Sequence, residues 1–552
     1  MKLRSKWEFG EASECRRGLL CGMGVSPEEQ SRPLIGVVNS WNEYNPGHVH
    51  LKALAERVKA GIRDAGGYPV EVMTTGICDG MVLKDPRYIE IPSRNSIADQ
   101  VEITVEGNCF DGMVMLSTCD SIVPGHLMAA ARLDIPTVVV TGGYMPLGCF
   151  RGKEVLHIHA QDKVGTMRAG KIDPDEYNGL IEHSWGTCGG CTSMTTANSM
   201  CMIAEALGMS LPGNSTVSAV SSELSLIAYT AGRRILDLVE KGITARKIIT
   251  PASLRNAIKV DMAVAASSNL ILHIPAIAHE AGYDEPWWKR FDEASNEIPL
   301  LSHLAPSGEY NLHDLCLAGG LPAILKELLP KLDGSCLTVT GKTLAENVAG
   351  AKVWNRDVIR TLDNPVSTEP GIGVLYGNLA PEGAIIKIAA VPANLMKFSG
   401  PARCFDSLDA ALAALRGGAI RPGDACIVRF LGLKARFGTT AFTFQEELKG
   451  RPELYGSCAI ITDGRFSVGT SGLSVGYVSP EPALKGPLGL VRDGDVIDID
   501  VKARRVDARV SADEFAARAK SFSWTFDESA YPRFLRLFVK NVGSMAHGGV
   551  WE

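Results

Sequence analysis

The stretch 112–143, GMVMLSTCDSIVPGHLMAAARLDIPTVVVTGG, contains two short apolar runs separated by a segment of helical composition. The runs GMVMLS and IPTVVVTGG are too short for helices and are bounded by turn-forming residues, so they are predicted to be buried strands. The segment PGHLMAAARLD between them is predicted to be a helix. A strand, a helix and a strand in this order indicate parallel strands joined by a helical crossover.

The same alternation extends towards the N-terminus, where LIGVVNS and PVEVM are predicted strands. Between them, HLKALAERVKAGIRDAGG places four apolar residues on one face and ends in glycine, which predicts an amphipathic helix. These residues are Leu51, Leu54, Val58 and Ile62. With a further helix predicted in SRNSIADQVEITVEG, residues 33–143 indicate an α/β domain built on a doubly wound parallel sheet.

In such a sheet the functional loops lie beyond the carboxyl ends of the strands. The loops after the first three predicted strands are NSWNEYNPGH, TTGICDG and STCDSIVPGH. They bring Asp79, Cys119 and Asp120 towards one edge of the sheet, which is therefore the expected place for a metal site.

The last third of the sequence has a different pattern. Glycine-punctuated apolar segments with few long helices between them indicate a β-rich, barrel-like domain. The segments are IGVLYGN, AIIKIAAV, ACIVRF, CAIITDGRFSVGTSG and DVIDIDVKARRVDARV. Residues 341–370 carry no strong pattern and end in Pro365 and Pro370, so we place the boundary between an N-terminal domain (1–365) and a C-terminal domain (366–552) there.

Composition limits the class of protein and the kind of partner. The chain has 552 residues, of which 45% are apolar, and this suffices for at least two cores. Its 56 basic and 62 acidic residues give a formal net charge of −6 without a basic stripe, so nucleic acid is not an expected partner. The N-terminus lacks the apolar core of a signal peptide, and no run of about 18 apolar residues occurs, so we expect a soluble, cytoplasmic protein without a membrane segment.

The 14 cysteines are scattered over the whole length, as expected of reduced thiols. Most are expected to act as small buried hydrophobes. Examples are Cys15, Cys201, Cys336 and Cys426.

The motif GTCGGCTSMTTANSM (186–200) places Cys188 and Cys191 three positions apart. Such a pair occurs in redox disulfides, zinc sites and iron–sulfur clusters. A second pair for zinc is missing, and no small thioredoxin-like unit accompanies the motif. With Cys119, the pair suggests three thiolates on an iron–sulfur cluster, which leaves one iron open as a Lewis acid. The alternative is that the two thiols only pack in a tight turn.

Seven motifs follow one another along the chain: IPSRNSIADQVE, STCDSIVPGHLMAAARLDIPTVVVTGG, TCGGCTSMTTANSM, EALGMSLPGN, VLYGNLAPEGAIIKIAAV, FSGPARCFDS and ITDGRFSVGTSGLSVGYVSPE. In this order they resemble the dihydroxy-acid dehydratase and phosphogluconate dehydratase family, from about residue 33 to 516. The resemblance implies that an iron–sulfur cluster and a magnesium ion jointly convert a 2,3-dihydroxy carboxylic acid into a 2-keto acid. It also implies a homodimer or a dimer-based tetramer, and a role in amino-acid biosynthesis.

The resemblance implies that Cys119 and Cys191 are cluster ligands in the N-terminal domain. Family members with a two-iron cluster take another cysteine from the loop after the first strand, where this chain has Gly47. A four-iron (4Fe-4S) cluster is therefore favoured over a two-iron (2Fe-2S) cluster, with Cys188 as the expected third ligand. Cys78 is a weaker candidate for that place.

The family's magnesium ligands correspond to Asp79, Asp120 and Glu446, and a hard cation prefers such carboxylate oxygens. The family's base corresponds to Ser467, in the C-terminal domain. A serine hydroxyl is too weakly acidic to act unaided, so a metal, Arg465 or backbone N–H groups must stabilise the alkoxide.

Three departures from the family pattern lie near the expected substrate pocket. Ser121 stands where the family has a lysine that becomes carbamylated and binds magnesium, so this site is one anionic ligand short. The loop after the CDG motif introduces Lys84 and Arg87, and the segment before the glutamate reads GLKARFGTTAFTFQEE. Together with Arg465 and Thr470, these residues are candidate substrate-binding groups.

The departures favour a substrate other than the branched dihydroxy acids of valine and isoleucine synthesis, although ordinary drift in surface loops would also produce them. One alternative function is a sugar-acid (aldonate) dehydratase of the same family. Another is a non-catalytic iron–sulfur protein whose magnesium site has been weakened at Ser121.

Overall fold

The four strands predicted in residues 33–143 form one parallel sheet in the computed structural model, which describes residues 3–6, 11–82, 91–161, 163–168, 170–466 and 470–552. The strands are β1 (Leu34–Asn39), β2 (Tyr68–Met73), β3 (Gly112–Ser117) and β4 (Thr137–Thr141). Their order across the sheet is β2-β1-β3-β4, and all neighbours are parallel. The chain builds outwards from β1 in both directions, which confirms the doubly wound sheet.

Helices cover both faces of this sheet. Up to β4 they are α1 (Glu11–Gly22), α2 (Pro27–Ser31), α3 (Leu51–Asp64), α4 (Ile91–Asn108) and α5 (Ile122–Leu133). After β4 come a hairpin and further helices: β5 (Gly148–Phe150), β6 (Lys153–Val155), α6 (His157–Gln161), α7 (Val164–Arg168), α8 (Pro174–His183), α9 (Thr196–Ala206), α10 (Ser222–Lys241), α11 (Ala245–Ile248), α12 (Pro251–Val264), α13 (Leu270–Glu280), α14 (Trp287–Glu297), α15 (Leu312–Ala318), α16 (Gly320–Leu328) and α17 (Leu344–Val348). Helices α3 and α10 pack together on one face, and α4 and α5 pack together on the other.

Helix α3 buries the apolar face that its sequence predicts, from Leu51 to Ile62. It lies unusually close to α10, because the two helices meet at glycines. A Cβ atom on Gly61 would lie 2.1 Å from the carbonyl oxygen of Tyr229, and one on Gly232 would lie 2.1 Å from that of Val58. Any side chain at either glycine would push α10 away from the sheet.

The C-terminal domain contains an eight-stranded sheet. Its strands are β7 (Gly373–Leu375), β8 (Gly383–Ile386), β9 (Lys397–Phe405), β10 (Ala425–Val428), β11 (Ala459–Thr462), β12 (Leu473–Ser479), β13 (Val496–Asp500) and β14 (Arg505–Ala508). Their order is β14-β13-β9-β10-β11-β12-β8-β7. The two edges also meet, since the Tyr376 N–H donates to the carbonyl of Arg504 at 2.9 Å and the Val506 N–H donates to that of Tyr376 at 3.0 Å. The sheet is therefore barrel-like, as predicted.

The barrel-like sheet has its own apolar interior, to which Leu375, Ile427, Ile461 and Val475 contribute. The helices of this domain are α18 (Leu408–Arg416), α19 (Leu433–Arg436), α20 (Phe442–Lys449), α21 (Pro452–Tyr455), α22 (Ala512–Ser521) and α23 (Arg533–Asn541). Helices α18 and α20 pack in a second apolar cluster on the outside of β10 and β11. Short 3-10 helices lie at Arg4–Lys6, Asp79–Met81, Asn214–Thr216, Leu329–Lys331, Ile388–Ala390, Ala393–Leu395, Pro482–Leu484, Pro487–Leu490, Glu528–Ala530 and Met545–His547.

Buried hydrogen bonds join the two domains. The fully buried guanidinium of Arg94, in α4, donates to the carbonyls of Gly548 at 2.6 Å and Gly549 at 2.9 Å. The Ser268 hydroxyl, just before α13, donates to the Phe466 carbonyl at 2.6 Å. The second contact fixes the segment after β11 against the N-terminal domain.

Among the residues that the structure describes, no helix has the length and apolar character needed to cross a membrane.

Candidate active site

The carboxyl edge of the parallel sheet opens between β1 and β3. The chain runs from β1 towards β2 on one side and from β3 towards β4 on the other, so the loops after these two central strands diverge and leave a crevice. His48 bridges the loops at its base, with ring nitrogens 2.7 and 3.0 Å from the carbonyl oxygens of Ser40 and Thr118. His48 therefore connects the loop after β1 to the loop after β3 at the residue before Cys119.

Two thiols meet at this edge. Cys119 follows β3 in a left-handed conformation, with φ of 70°, and is buried. Such a backbone costs about 1 kcal/mol or more for a residue other than glycine, so the surrounding structure must hold it. The Cys119 thiol lies within hydrogen-bonding contact of the Cys78 sulfur, from the loop after β2, and this contact lowers the pKa of Cys78 and raises the pKa of Cys119 well above its usual value.

Two carboxyls meet beside the thiols. Asp79 and Asp120 lie within hydrogen-bonding contact of each other. Burial raises the pKa of Asp79, and the nearby charge of Arg465 opposes that rise. Burial also raises the pKa of Asp120 well above its usual value, with contributions from Asp79 and Cys78, while the Ala197 N–H in the first turn of α9 opposes it. Without a cation, this pair is most stable when it shares a proton.

A third thiol, that of Cys191, completes what we call the thiol–carboxyl site: Cys78, Asp79, Cys119, Asp120 and Cys191. Burial raises the pKa of the Cys191 thiol above its usual range, and Asp120 and Cys78 raise it further through their charges. Electrostatic interaction with Cys191 likewise contributes to the raised pKa of Cys119. The three thiols therefore lie in one neighbourhood, in which Cys119 is buried and Cys78 and Cys191 are partly buried.

Backbone hydrogen bonds fix the loop that carries Cys191. The Gly189 N–H donates to the Pro46 carbonyl at 2.9 Å, and the Gly190 N–H donates to the Gly143 carbonyl at 2.8 Å. These two bonds hold the loop across the segments that follow β1 and β4. The Asn198 amide in α9 donates to the Cys191 carbonyl, so the residue is held from both sides.

Cys188 lies apart from this group. Like Cys78 and Cys191, Cys188 is partly buried, and burial raises the pKa of its thiol, while Thr187 and its own backbone oppose that rise. Among the described residues, electrostatic interactions join Cys191 to Cys119 and Cys78, and none joins Cys188 to them. Its assignment as a cluster ligand stays a prediction.

Gly47 lies directly against Cys119. A Cβ atom on Gly47 would be 2.7 Å from the Cys119 sulfur and 3.2 Å from Oδ1 of Asn45. The Asn45 amide itself donates to the Cys119 sulfur at 3.5 Å. The position from which two-iron relatives are expected to supply a cysteine is thus at the site, but here it carries no side chain.

Two buried oxygens near the carboxyl pair lack hydrogen-bond partners among the described residues. They are Oδ2 of Asp120 and Oγ of Ser121, whose residue is 1% exposed. Burying an unpaired polar oxygen costs about 1–3 kcal/mol, so the pair indicates room for a ligand at this point. Among the residues that the structure describes, no group of three or more His, Cys, Asp or Glu side chains is already arranged to bind a metal ion.

The C-terminal domain reaches the site through Arg465. The Arg465 guanidinium is buried, donates to Oδ1 of Asn269 at 3.1 Å and interacts electrostatically with Asp79. Asn269 donates in turn to the Thr196 hydroxyl at 2.9 Å, at the start of α9. This polar chain connects the segment after β11 to the helix end that faces Asp120.

Glu446 lies in α20 and is buried, with Lys449 Nζ 2.9 Å from its Oε1 atom. Helix α20 begins beside Arg465, since the Ala441 N–H donates to the Arg465 carbonyl at 2.9 Å. Thr470 is also buried. Ser467, Lys84 and Arg87 lie outside the described residues.

The expectation that most cysteines are buried is confirmed for some cysteines outside the site and is wrong for others. Cys201 and Cys426 are buried as expected. Cys15 is exposed and Cys336 is only partly buried, because Cys15 lies on α1 at the protein surface and Cys336 in a loop.

The sequence did not point to Asn269 or Thr196. Each is a common polar residue in a helical region, and only the folded structure shows that they connect Arg465 with α9. The sequence did point to Cys78, because the dipeptide Cys-Asp occurs both at 78–79 and at 119–120.

Two further buried carboxyls support the segment before Arg465. Asp463 accepts hydrogen bonds from the N–H groups of Leu431 at 3.2 Å and Gly432 at 2.9 Å, and Glu481 accepts one from the N–H of Lys434 at 2.7 Å. Burial raises the pKa of Asp463 to about 6 and that of Glu481 to about 8. The folded protein therefore retains protons here that the unfolded chain releases at lower pH.

The Glu481 carboxyl predicts a loss of stability at alkaline pH. Because its pKa is raised on folding, its stabilising contribution is complete below about pH 4.5 and is lost as the pH rises through about 8. Each pKa unit corresponds to about 1.4 kcal/mol, so the total is a few kcal/mol. Glu481→Gln should show a smaller fall in Tm between pH 6 and pH 9 than the parent protein, by a few degrees. Glu240→Gln, on the exposed face of α10, is the control and should follow the parent; equal slopes for the parent and Glu481→Gln would contradict the prediction.

The two domains match the two halves of one enzyme family. The N-terminal model of the dihydroxy-acid/6-phosphogluconate dehydratase family matches residues 32–347, and its C-terminal model matches residues 357–549. The chain belongs to this family, and the resemblance inferred from the motifs is confirmed. It is an enzyme of the hydro-lyase class that acts on a small molecule. The domain boundary at 365/366 stays a prediction.

Curated relatives are similar in sequence to this chain over nearly their full length. The chain is 44% identical to the dihydroxy-acid dehydratase of Caldanaerobacter subterraneus subsp. tengcongensis, over 97% of each chain. It is 42% identical to the dihydroxy-acid dehydratases of Methanococcoides burtonii and Moorella thermoacetica, in both cases over 98% of this chain and 99% of the relative.

Proposed function

We propose that this enzyme eliminates water from a 2,3-dihydroxy carboxylic acid to give a 2-keto acid, using an iron–sulfur cluster, magnesium and the base Ser467. The observation that carries the proposal is the thiol–carboxyl site, in which three thiols and two carboxyls converge at the carboxyl edge of the sheet. The relatives that are named dihydroxy-acid dehydratase support the substrate class.

The donor set fits these two inorganic groups. Thiolates are the usual ligands of iron–sulfur clusters, and three of them leave one iron open. Carboxylates are the preferred ligands of magnesium. A dication between Asp79 and Asp120 would remove the repulsion between the two carboxylates and give the unpaired oxygens of Asp120 and Ser121 a partner.

When bound, the open iron and the magnesium ion supply Lewis acidity that weakens the C3–OH bond and acidifies C2 of the substrate. Ser467, as the alkoxide, removes the proton from C2, the electrons of the C2–H bond form the C2=C3 double bond, and the C3–O bond breaks with its electron pair on oxygen. The departing hydroxide takes this proton from Ser467 and leaves as water, which restores the alkoxide. The resulting enol loses the proton of its C2 hydroxyl and gains one at C3, which gives the 2-keto acid. Glu446, in α20, would be the third carboxylate to hold magnesium, with Asp79 and Asp120.

The residues before Ser467 explain how an alkoxide would be tolerated. Arg465 brings a buried positive charge to the segment, and Asn269 orients its guanidinium. The Phe466 carbonyl is held by the Ser268 hydroxyl, which limits movement of the chain at this point. A fixed positive charge in a buried site stabilises a developing anion better than water does.

Substrate choice within the family depends on the departures at Ser121, Lys84 and Arg87. A neutral hydroxyl at Ser121 replaces an anionic magnesium ligand, which favours a substrate whose own oxygens complete the metal site. Lys84, Arg87 and Thr470 are proposed to bind the substrate. We propose a cytoplasmic homodimer or dimer-based tetramer with a role in amino-acid biosynthesis.

A direct test is anaerobic purification followed by iron and sulfide analysis and keto-acid assays. We expect about four iron and four sulfide per chain, and keto-acid formation from a dihydroxy acid in the presence of Mg²⁺. The substrate panel should contain 2,3-dihydroxyisovalerate and several aldonates. Turnover of dihydroxyisovalerate equal to that of the best aldonate or other hydroxy acid would contradict a divergent substrate, and a cluster without any turnover would indicate a non-catalytic iron–sulfur protein.

A further inference from the structure

We infer that Cys78, rather than Cys188, is the third thiolate ligand of the iron–sulfur cluster. This inference rests on the proposed function, because it assumes that the thiol–carboxyl site holds a cluster. By this inference, the loop after β2 binds the cluster through Cys78, and the loop that carries Cys188 and Cys191 binds it through Cys191 alone.

The arrangement of two Cys-Asp pairs carries the inference. Cys78 and Asp79 come from the loop after β2, and Cys119 and Asp120 come from the loop after β3. Strands β2 and β3 lie on either side of β1, so the two loops face each other across it. The pairs meet in matching order, with thiol against thiol and carboxyl against carboxyl.

This matching order separates two kinds of donor. The sulfurs of Cys78 and Cys119 contact each other, the carboxyls of Asp79 and Asp120 contact each other near Arg465, and Cys191 interacts electrostatically with both pairs. A soft iron–sulfur group and a hard magnesium ion would each find its preferred ligands in one of these pairs. With Cys188 as the ligand instead, the Cys78 thiol, which contacts Cys119, would have no ligand role.

The backbone of the Cys78 loop is fixed at this position. The Asn42 amide, in the loop after β1, donates to the Gly76 carbonyl at 2.7 Å. A Cβ atom on Gly76 would lie 2.5 Å from the Ser40 carbonyl oxygen and 2.7 Å from Nδ1 of His48. The loop after β2 is thus packed tightly on the loop after β1, the same loop in which Gly47 carries no thiol. Cys78 therefore follows a backbone position that is fixed against the loop that carries Gly47, and Gly47 and Cys78 both lie against Cys119.

Variants at the two cysteines test the assignment by metal content rather than by activity. Cys78→Ser and Cys188→Ser are purified anaerobically and reconstituted with iron and sulfide in parallel with the parent protein. We expect Cys78→Ser to retain less than about a third of the parent's iron and sulfide, and Cys188→Ser to retain nearly all of it, since loss of one of three protein ligands destabilises the cluster. The reverse order would overturn the inference.

Alkylation of the parent protein gives a readout that does not depend on how a variant folds. Iodoacetamide is applied with the cluster bound and again after its removal, and the modified cysteines are identified by mass spectrometry. We expect Cys78, Cys119 and Cys191 to be alkylated only after removal, and Cys188 to be alkylated in both states. Protection of Cys188 together with modification of Cys78 in the cluster-bound protein would refute the assignment.

Cadmium separates this inference from the proposed function. Cd²⁺ alone binds the thiolates of the cluster-free protein and produces a thiolate-to-cadmium ultraviolet band. We expect this band to fall by about a third in Cys78→Ser and to be unchanged in Cys188→Ser. If the parent protein binds Cd²⁺ in this way but takes up no iron–sulfur cluster, the proposed function is wrong and the assignment of Cys78, Cys119 and Cys191 as one group of ligands is kept. If the ultraviolet band is equally intense in Cys78→Ser and in the parent protein, the assignment of Cys78 to this group is wrong.

Discussion

Cys119→Ser is expected to lower kcat on the order of 1,000-fold or more and to remove most of the bound iron. Cys119 is the thiol on which the others converge, since Cys78 contacts it and Cys191 lies in the same neighbourhood. Loss of an open iron removes several kcal/mol of Lewis-acid stabilisation, and each 1.4 kcal/mol, roughly, is a factor of ten in rate. Iron analysis, visible absorption and keto-acid formation, measured on the same anaerobic sample, check this expectation.

Cys336→Ser provides a matched control. Cys336 is a partly buried thiol that accepts a hydrogen bond from the Asn256 amide at 3.6 Å, much as Cys119 accepts one from Asn45. This variant should keep the parent's iron content and rate. A Cys119→Ser protein that holds its full complement of iron and sulfide would show that the cluster is bound elsewhere.

Ser467→Ala is expected to lower kcat by about 100-fold to 10,000-fold, the usual contribution of a base in the transition state. Unlike Cys119→Ser, it should leave iron, sulfide and visible absorption unchanged, because the serine is not a cluster ligand. With a substrate deuterated at C2, the parent should show a primary isotope effect if the C2–H bond breaks in a rate-limiting step. The residual turnover of Ser467→Ala should show an isotope effect at least as large.

Ser474→Ala controls for the loss of a hydroxyl near the same loop. Ser474 is buried at the start of β12, and its hydroxyl donates to the Ser471 carbonyl at 3.0 Å, away from Arg465. Its rate should stay within a few-fold of the parent. Comparable losses in both variants would attribute the effect to the loop as a whole and not to a base at Ser467.

The sequence predicted the fold wherever apolar runs were continuous. All four strands of the parallel sheet and helices α3, α4 and α5 lie where their patterns placed them. Strands β9 and β12 were not predicted, because the inward face of β9 includes the small residues Gly400 and Ala402, and Gly476 interrupts the apolar residues of β12. Pairing with neighbouring strands, which no local pattern expresses, determines their conformation.

The sequence predicted which kinds of residue form the site, but it predicted less well which of them lie close together in the folded protein. The sheet rule brought Asp79, Cys119 and Asp120 to one edge, and the structure places all three there. The choice between Cys78 and Cys188 depends on which loops face each other across β1, and spacing along the chain does not contain that information. The connection from Arg465 through Asn269 likewise exists only after the two domains pack.

If the thiol–carboxyl site holds the proposed iron–sulfur cluster and magnesium ion, the paired Cys-Asp dipeptides would couple the binding of one group to that of the other. The α-carbons of Cys119 and Asp120 are about 3.8 Å apart in a single peptide unit, as are those of Cys78 and Asp79. If oxidative damage displaced the sulfur of one of these cysteines, the shared peptide unit would also displace the neighbouring carboxyl. Oxidation of the cluster would thereby also weaken the binding of magnesium. Restoring the cluster without magnesium, or magnesium without the cluster, would leave the enzyme inactive.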